Sequence, residues 1–205
     1  MGTDAAVFRW INHLADRTPW AHGPATAFAV YGIGVFAVLL VAAWWDARRR
    51  DDAVAAVASV AWAGLAALVG VALVQVIGAG VDRARPTTVL RGTHLLLDAT
   101  SDFSFPSDHL TACSAVAVGL LLARTAVRRR WVVWAAVAAT ILMALDRVYV
   151  GAHYPGDVLG GMALGAAVAI ALEPVGRRVM EAVLGVAAGT PLRVLVVGEG
   201  AGIRR

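Results

Sequence analysis

The chemistry in this chain concentrates in three short clusters of histidine, arginine and acidic residues. The sharpest is Arg147-x5-His153-x3-Asp157. An imidazole can act as nucleophile or base. A carboxylate that takes the proton of one ring nitrogen leaves the other with a free lone pair. Asp157 is within reach of His153 if the segment is helical or turned. Arg147 brings a guanidinium fork matched to phosphate oxygens. Taken alone, a histidine beside an aspartate at a helix start is an ordinary structural pair. The second cluster, Phe105-Pro106-Ser107-Asp108-His109, adds another imidazole. Pro106 suits the first turn of a helix. The unpaired N–H groups there, near Asp108 and His109, together with the positive dipole end, make an anion site. Ser107 supplies a hydroxyl donor. The third cluster, Asp82-Arg83-Ala84-Arg85-Pro86, adds two guanidinium groups. The sum suits a phosphate-like anion, with His153 as nucleophile or base, Asp157 as its partner and His109 as a second imidazole; Arg85, Arg147, Ser107, Asp108 and Arg83 are the candidate phosphate-binding residues. A zinc triad of His109, His153 and Asp157 is disfavoured, because the neighbouring arginines repel a cation. No metal or cofactor is expected. His13, His22 and His94 lie outside the clusters.

These clusters need a scaffold, and the composition says which. Of 205 residues, 60% are hydrophobic and 16% charged, with a mean hydropathy of +0.72. Ordinary globular domains run near about 45–50% apolar and about 25% charged. Disorder, a disulfide scaffold (Cys113 stands alone) and an average soluble enzyme are excluded. All 18 basic residues are arginine, and they cluster rather than building the basic face of a nucleic-acid binder.

The uncharged runs 23–45 and 53–81 are 23 and 29 residues long, enough to cross a bilayer. The first is too long for a cleaved signal, and Arg48-Arg49-Arg50 follows it as a stop-transfer sequence would. Three shorter runs follow at 110–123, 131–145 and 158–172. They span only if Asp108-His109, Asp146-Arg147 and Asp157 lie within one leaflet, where ionisable groups face polar cavities. With five spans, 12 of the 18 arginines fall on one side, which the positive-inside rule makes cytoplasmic. All three clusters then meet on the opposite, extracytoplasmic side. The fold class is therefore an all-α integral membrane bundle of five transmembrane helices. The site lies at the outer ends of spans two to five. Residues 4–17 form an amphipathic helix with Val7, Trp10, Ile11 and Leu14 on one stripe, suited to the membrane surface with Trp20 as an anchor. Gly161 and Gly165 form a close-packing pair. The expected divisions are 1–22 for this helix, 23–175 for the membrane domain and 176–205 for a cytoplasmic tail.

Arg85-Pro86, Pro106-Ser107-x-His109 and Arg147-x5-His153-x3-Asp157 together resemble the signature of the type 2 phosphatidic acid phosphatase superfamily of membrane lipid phosphatases. With Asp108 in the second motif, and Arg-Val-Tyr-Val-Gly-Ala-His-Tyr-Pro-Gly-Asp-Val-Leu-Gly (147–160) as the third, the chain is most similar to the bacitracin-resistance type of undecaprenyl-diphosphatase. The resemblance covers roughly residues 5 to 175. It implies hydrolysis of a polyprenyl diphosphate to the monophosphate through a phosphohistidine on His153 supported by Asp157, with His109 as acid and base, recycling the cell-wall carrier lipid at the plasma membrane. The partners are then the lipid substrate and the bilayer. The sequence departs from the signature twice. The family lysine falls at Gly78, and the chain has no lysine; Arg83, Arg91 or His94 are the candidate replacements. The third-motif serine is Asp146. Phosphatidylglycerol phosphate and phosphatidic acid are alternative substrates. A non-enzymatic lipid-diphosphate binder is the alternative that Gly78 favours. A vanadium haloperoxidase fits the spans and small size poorly.

Overall fold

The computed structural model describes residues 2–100 and 102–198. They form helices joined by loops, and among the described residues there is no strand. The longest helix, α4 (Ala53–Val81), coincides with the second expected span. Its 29 residues rise about 43 Å at 1.5 Å per residue, more than the hydrocarbon thickness. Small buried residues run along it: Ala56, Ala63, Ala66 and Gly70. They let α6 (Asp108–Leu122) lie close, between α4 and α8 (Pro155–Ala171).

The contacts at these crossings are backbone to backbone. A Cβ on Gly119 would sit 2.6 Å from the Cα and Cβ of Ala63. One on Gly165 would sit 2.2 Å from the Thr111 carbonyl oxygen, and one on Gly161 would sit 2.4 Å from that of Ser107. Glycine permits such approach because it has no side chain to displace. The Trp62 indole N–H spans the same region, donating to the Ala169 carbonyl at 3.0 Å. α7 (Arg130–Tyr149) closes the bundle against α6.

The first expected span is bent: α2 (His22–Tyr31) and α3 (Ile33–Ala47) lie at 55° to each other. The joint is Gly32, where a Cβ would come within 2.4 Å of the Phe28 carbonyl and 2.7 Å of Met143. Beyond α8 the chain turns by 59° into α9 (Glu173–Ala188), with Pro174 in its first turn. Proline cannot donate the hydrogen bond that would continue α8. Residues 176–188, expected as tail, are therefore helical. Gly176 lies flat on Trp62 of α4, at 2.1 Å for an added Cβ. A short helix, α10 (Arg193–Val196), follows; residues 199–205 of the expected tail lie outside the described residues.

At the N-terminus, α1 (Thr3–Arg17) leaves Val7, Trp10 and Leu14 exposed, as the apolar stripe requires of a surface helix. Its opposite face docks on the bundle. Phe8, Asn12 and Ala15 are buried, and the Phe8 ring meets Tyr154 at 5.5 Å between centroids. Asn12 donates to the carbonyls of His94 and Tyr149 at 2.8 and 3.1 Å, and accepts from the His94 N–H at 2.8 Å. A buried amide with all these partners is a register pin for α1. The short helix α5 (Pro86–Val89) begins immediately after Arg85.

The Gly119–Ala63 crossing yields a prediction. Gly119→Val forces α4 and α6 apart and costs about 1–3 kcal/mol. It lowers the melting midpoint in detergent, whereas Gly34→Ala, within α3 and with open space around its Cβ, does not lower it.

Candidate active site

Three connections deliver the three clusters to one end of the bundle: the segment after α4, the start of α6, and the turn between α7 and α8. That turn is built by Gly151, whose φ of +85° is left-handed and whose added Cβ would lie 2.0 Å from the His94 carbonyl oxygen. The reversed chain then returns to α7, with the His153 N–H donating to the Arg147 carbonyl at 3.2 Å. Pro155 starts α8, and Asp157 reaches back to accept the Tyr154 N–H at 2.9 Å. The spacing from His153 to Asp157 is thus a helix cap as well as a side-chain pair.

His153 is 1% exposed and Asp157 is fully buried. Their closest atoms, Nδ1 and Oδ2, are 3.9 Å apart, too far for a hydrogen bond. The expectation that Asp157 takes the ring proton is corrected here. The Nδ1 partner is the backbone carbonyl of Ser104, at 2.8 Å. A carbonyl oxygen only accepts, so Nδ1 carries the proton and Nε2 keeps its lone pair. Arg85 Nη1 stands 3.4 Å from Nε2 and donates to the Ala152 carbonyl at 2.9 Å. Asp157 in turn is held by the Ser104 hydroxyl at 2.5 Å and by Arg83 Nη1 at 2.6 Å. Ser104 therefore acts twice, through its carbonyl on His153 and its hydroxyl on Asp157. Nothing in the local sequence singles it out. Burial pushes the His153 pKa below the ordinary imidazole value; Asp157 opposes this, and Arg147 and Arg85 reinforce it.

At the start of α6, Asp108 is the first helical residue, so Pro106 lies just outside the helix and not in its first turn. The Asp108 carboxylate accepts both the backbone N–H of His109, at 2.7 Å, and its ring Nδ1–H, at 2.9 Å. One of the two expected N–H donors is thereby used internally, and Asp108 orients His109. Ser107 is buried, and its hydroxyl has no partner among the described residues. Arg147, also buried, donates from Nη1 to the Ala29 carbonyl at 3.3 Å, while its Nε has no partner among the described residues.

Two neighbouring cavities open here. One of about 270 Å³ is lined by His109, Arg147, Asp98, Thr87 and Thr100 among others. A smaller one, about 30 Å³, is lined by His153, Gly78, Phe103 and Phe105. Arg85, Asp102 and Asp108 line both. The two histidines thus face adjoining spaces that share Arg85 and Asp108.

Arg83 does not line either cavity. Its second nitrogen binds Asp4 of α1 at 2.5 Å, and its guanidinium carbon lies 4.2 Å over the Tyr154 ring. The expectation that Arg83 binds phosphate is therefore corrected: two carboxylates already hold its fork. The other candidates to replace the missing lysine lie outside the two cavities: His94 pairs with Asp16 of α1 at 2.7 Å, and Arg91 is exposed and lines neither. At Gly78 itself a Cβ would sit 3.1 Å from the Phe103 ring, so the aromatic side chain fills that position. Asp102, unmarked in the sequence, pairs with Arg85 at 3.0 Å. Its carboxyl titrates below the usual range: burial opposes ionisation, but Thr100 and Arg85 outweigh it.

A model of the PAP2 superfamily matches residues 59–179, more than half of the chain and all three clusters. The chain belongs to the PAP2 superfamily. It is similar to the undecaprenyl-diphosphatase BcrC of Bacillus subtilis, 28% identical over 76% of this chain and 75% of that protein. It is 34% identical to the decaprenylphosphoryl-5-phosphoribose phosphatase of Mycobacterium tuberculosis, over 73% of this chain and 75% of that one. Its fold matches the crystal structure of a transmembrane PAP2-type phosphatidylglycerolphosphate phosphatase from Bacillus subtilis. The TM-score is 0.61 at 21% identity, covering 86% and 85% of the two chains. This PAP2 protein is a helical membrane lipid phosphatase.

The buried imidazole sets a pH dependence. A pKa lowered by burial keeps His153 neutral through the ordinary histidine value of about 6.5. The acid limb of kcat/KM for phosphate release therefore lies below pH 6.5, and a pH–rate profile locates it.

Proposed function

We propose that this enzyme hydrolyses a polyprenyl diphosphate to the monophosphate and inorganic phosphate through a phosphohistidine on His153. The observation that carries the reading is the Ser104 carbonyl on Nδ1, which leaves the Nε2 lone pair beside Arg85. Nε2 attacks the terminal phosphorus in line. A P–N bond forms as the P–O bond to the bridging oxygen breaks. The leaving polyprenyl phosphate takes a proton from His109. Arg85, Arg147 and the Ser107 hydroxyl bind the equatorial oxygens, where charge redistributes in the transition state. Water then attacks the phosphorus, His109 takes its proton, and the P–N bond breaks to release phosphate and neutral His153. The Arg-rich donor set supplies the positive charge, so no metal enters the scheme. With the Arg-rich connections on the cytoplasmic side, the site faces the exterior of the plasma membrane, where a carrier lipid would be recycled. The similarity to BcrC supports this substrate class.

A second reading has its own observation. The larger cavity is lined beyond Arg85 and Arg147 by Thr87, Thr100 and Asp98. Hydroxyls and a carboxylate there suit a sugar between lipid and terminal phosphate. The similarity to the decaprenylphosphoryl-5-phosphoribose phosphatase supports that alternative.

Purified protein in detergent, assayed for phosphate release, separates these readings. The panel is undecaprenyl diphosphate, undecaprenyl phosphate, decaprenylphosphoryl-5-phosphoribose, phosphatidic acid and phosphatidylglycerol phosphate. Undecaprenyl diphosphate gives the highest kcat/KM under the first reading, and the phosphoribose lipid under the second. Binding without any turnover contradicts both and marks a lipid binder. Turnover survives EDTA, and His153→Ala abolishes it. His109→Ala slows a sugar or alkyl phosphomonoester more than the diphosphate, whose leaving group needs less protonation. Equal losses on the two substrates remove His109 as the acid.

A further inference from the structure

The N-terminal helix reaches the catalytic carboxylate. Asp4, in the first turn of α1, accepts Arg83 Nη2 at 2.5 Å through Oδ2, and the Gly156 N–H at 2.8 Å through Oδ1. Arg83 uses its other terminal nitrogen on Asp157 Oδ1 at 2.6 Å. One guanidinium thus bridges a carboxylate on α1 and the fully buried carboxylate of α8. Gly156 belongs to the first turn of α8, one residue before Asp157. Asp4 therefore holds this cap at two points, one charged and one neutral.

We propose that Asp4 is a positioning residue of the phosphatase site, acting through Arg83 on Asp157. The proposal rests on the reading of His153 and Asp157 as nucleophile and supporting carboxylate. When the Nε2 lone pair of His153 forms a bond to phosphorus, the ring becomes cationic. A negative Asp157 nearby stabilises that state. Arg83 weakens the negative charge of Asp157 unless a second anion shares it. Asp4 is that second anion, and it fixes where Arg83 points. Arg83 is a third exposed, as is Asp4, so without a partner its long side chain has solvent to move into. Stacking on Tyr154 and the fork between two carboxylates hold it in one geometry.

The docking of α1 does not depend on this contact alone. Phe8, Asn12 and the Asp16–His94 pair fasten the helix elsewhere. Asp4→Asn keeps an oxygen to accept the Gly156 N–H and removes only the charge. The groups facing Arg83 are then Asp157 and Tyr154. Those facing His153 are unchanged: Arg85 from the segment after α4, Asp108 from α6, Arg147 from α7 and Asp157 from α8.

The test is a kinetic cycle on full-length protein in detergent, with the best substrate of the panel above. Asp4→Asn lowers kcat roughly tenfold, leaves KM within twofold and keeps the wild-type melting midpoint. Asp4→Glu, which retains the charge, recovers part of the lost kcat. Arg83→Gln lowers kcat as well, and the double variant loses no more than Arg83→Gln alone, because both act through one guanidinium. Asp4→Asn with wild-type kcat overturns the proposal, as do losses that multiply in the double variant. A drop in melting midpoint that accounts for the loss gives the residue a merely structural role and overturns it too. A wild-type protein that turns over no lipid phosphate, or a His153→Ala protein as active as wild type, sinks the catalytic reading and this inference with it.

Discussion

The site is organised by the burial of one charge. Asp157 has no solvent contact, and a carboxylate in that position is tolerated only when its oxygens are fully paired. Its partners come from three parts of the chain: the Ser104 hydroxyl, the Tyr154 N–H and the Arg83 guanidinium. Meeting that demand draws the loop before α6 against the start of α8. It also places the Ser104 carbonyl on the His153 ring, and the ring tautomer follows. Removing one partner leaves an uncompensated buried charge, which costs far more than the surface pairs of this protein contribute.

The same demand divides the arginines. Arg83 serves Asp157 and Asp4 and lines neither cavity. Arg85 and Arg147 line the larger cavity, and the buried Ser107 hydroxyl has no partner among the described residues. Phe103 fills the space beside Gly78 where the family signature places a lysine. An aromatic wall stands where that cation would be. Asp102, paired to Arg85 on the rim, adds negative charge where the signature adds positive. The paired cavities therefore differ in electrostatics from the pattern the motifs resemble, while the imidazoles sit at the same motif positions.

Much of this was legible in the sequence because lipid imposes simple rules. The uncharged run 53–81 became α4 residue for residue, since a helix is what an apolar backbone forms away from water. The three clusters met at one end because spans alternate direction. What was not legible depends on contacts without local periodicity. Gly32 and Pro174 bend two helices, yet isolated residues of these types also occur in straight spans. Ser104 is a loop serine with no motif, and its two roles arise from a fold that brings it against His153 and Asp157, 49 and 53 residues away in the sequence. Asp4 is a lone acid at the start of an amphipathic helix, with no motif around it. The division of labour between Arg83 and Arg85, two residues apart, turns on which way each side chain leaves the backbone.

The central claim is that His153 attacks through Nε2 because Ser104 holds the proton on Nδ1. The most direct measurement is 31P NMR with mass-spectrometric mapping of enzyme quenched in base during turnover. The account predicts a phosphoryl group on Nε2 of His153. Phosphate on Nδ1, on another residue, or on no residue of an actively turning-over enzyme would contradict it.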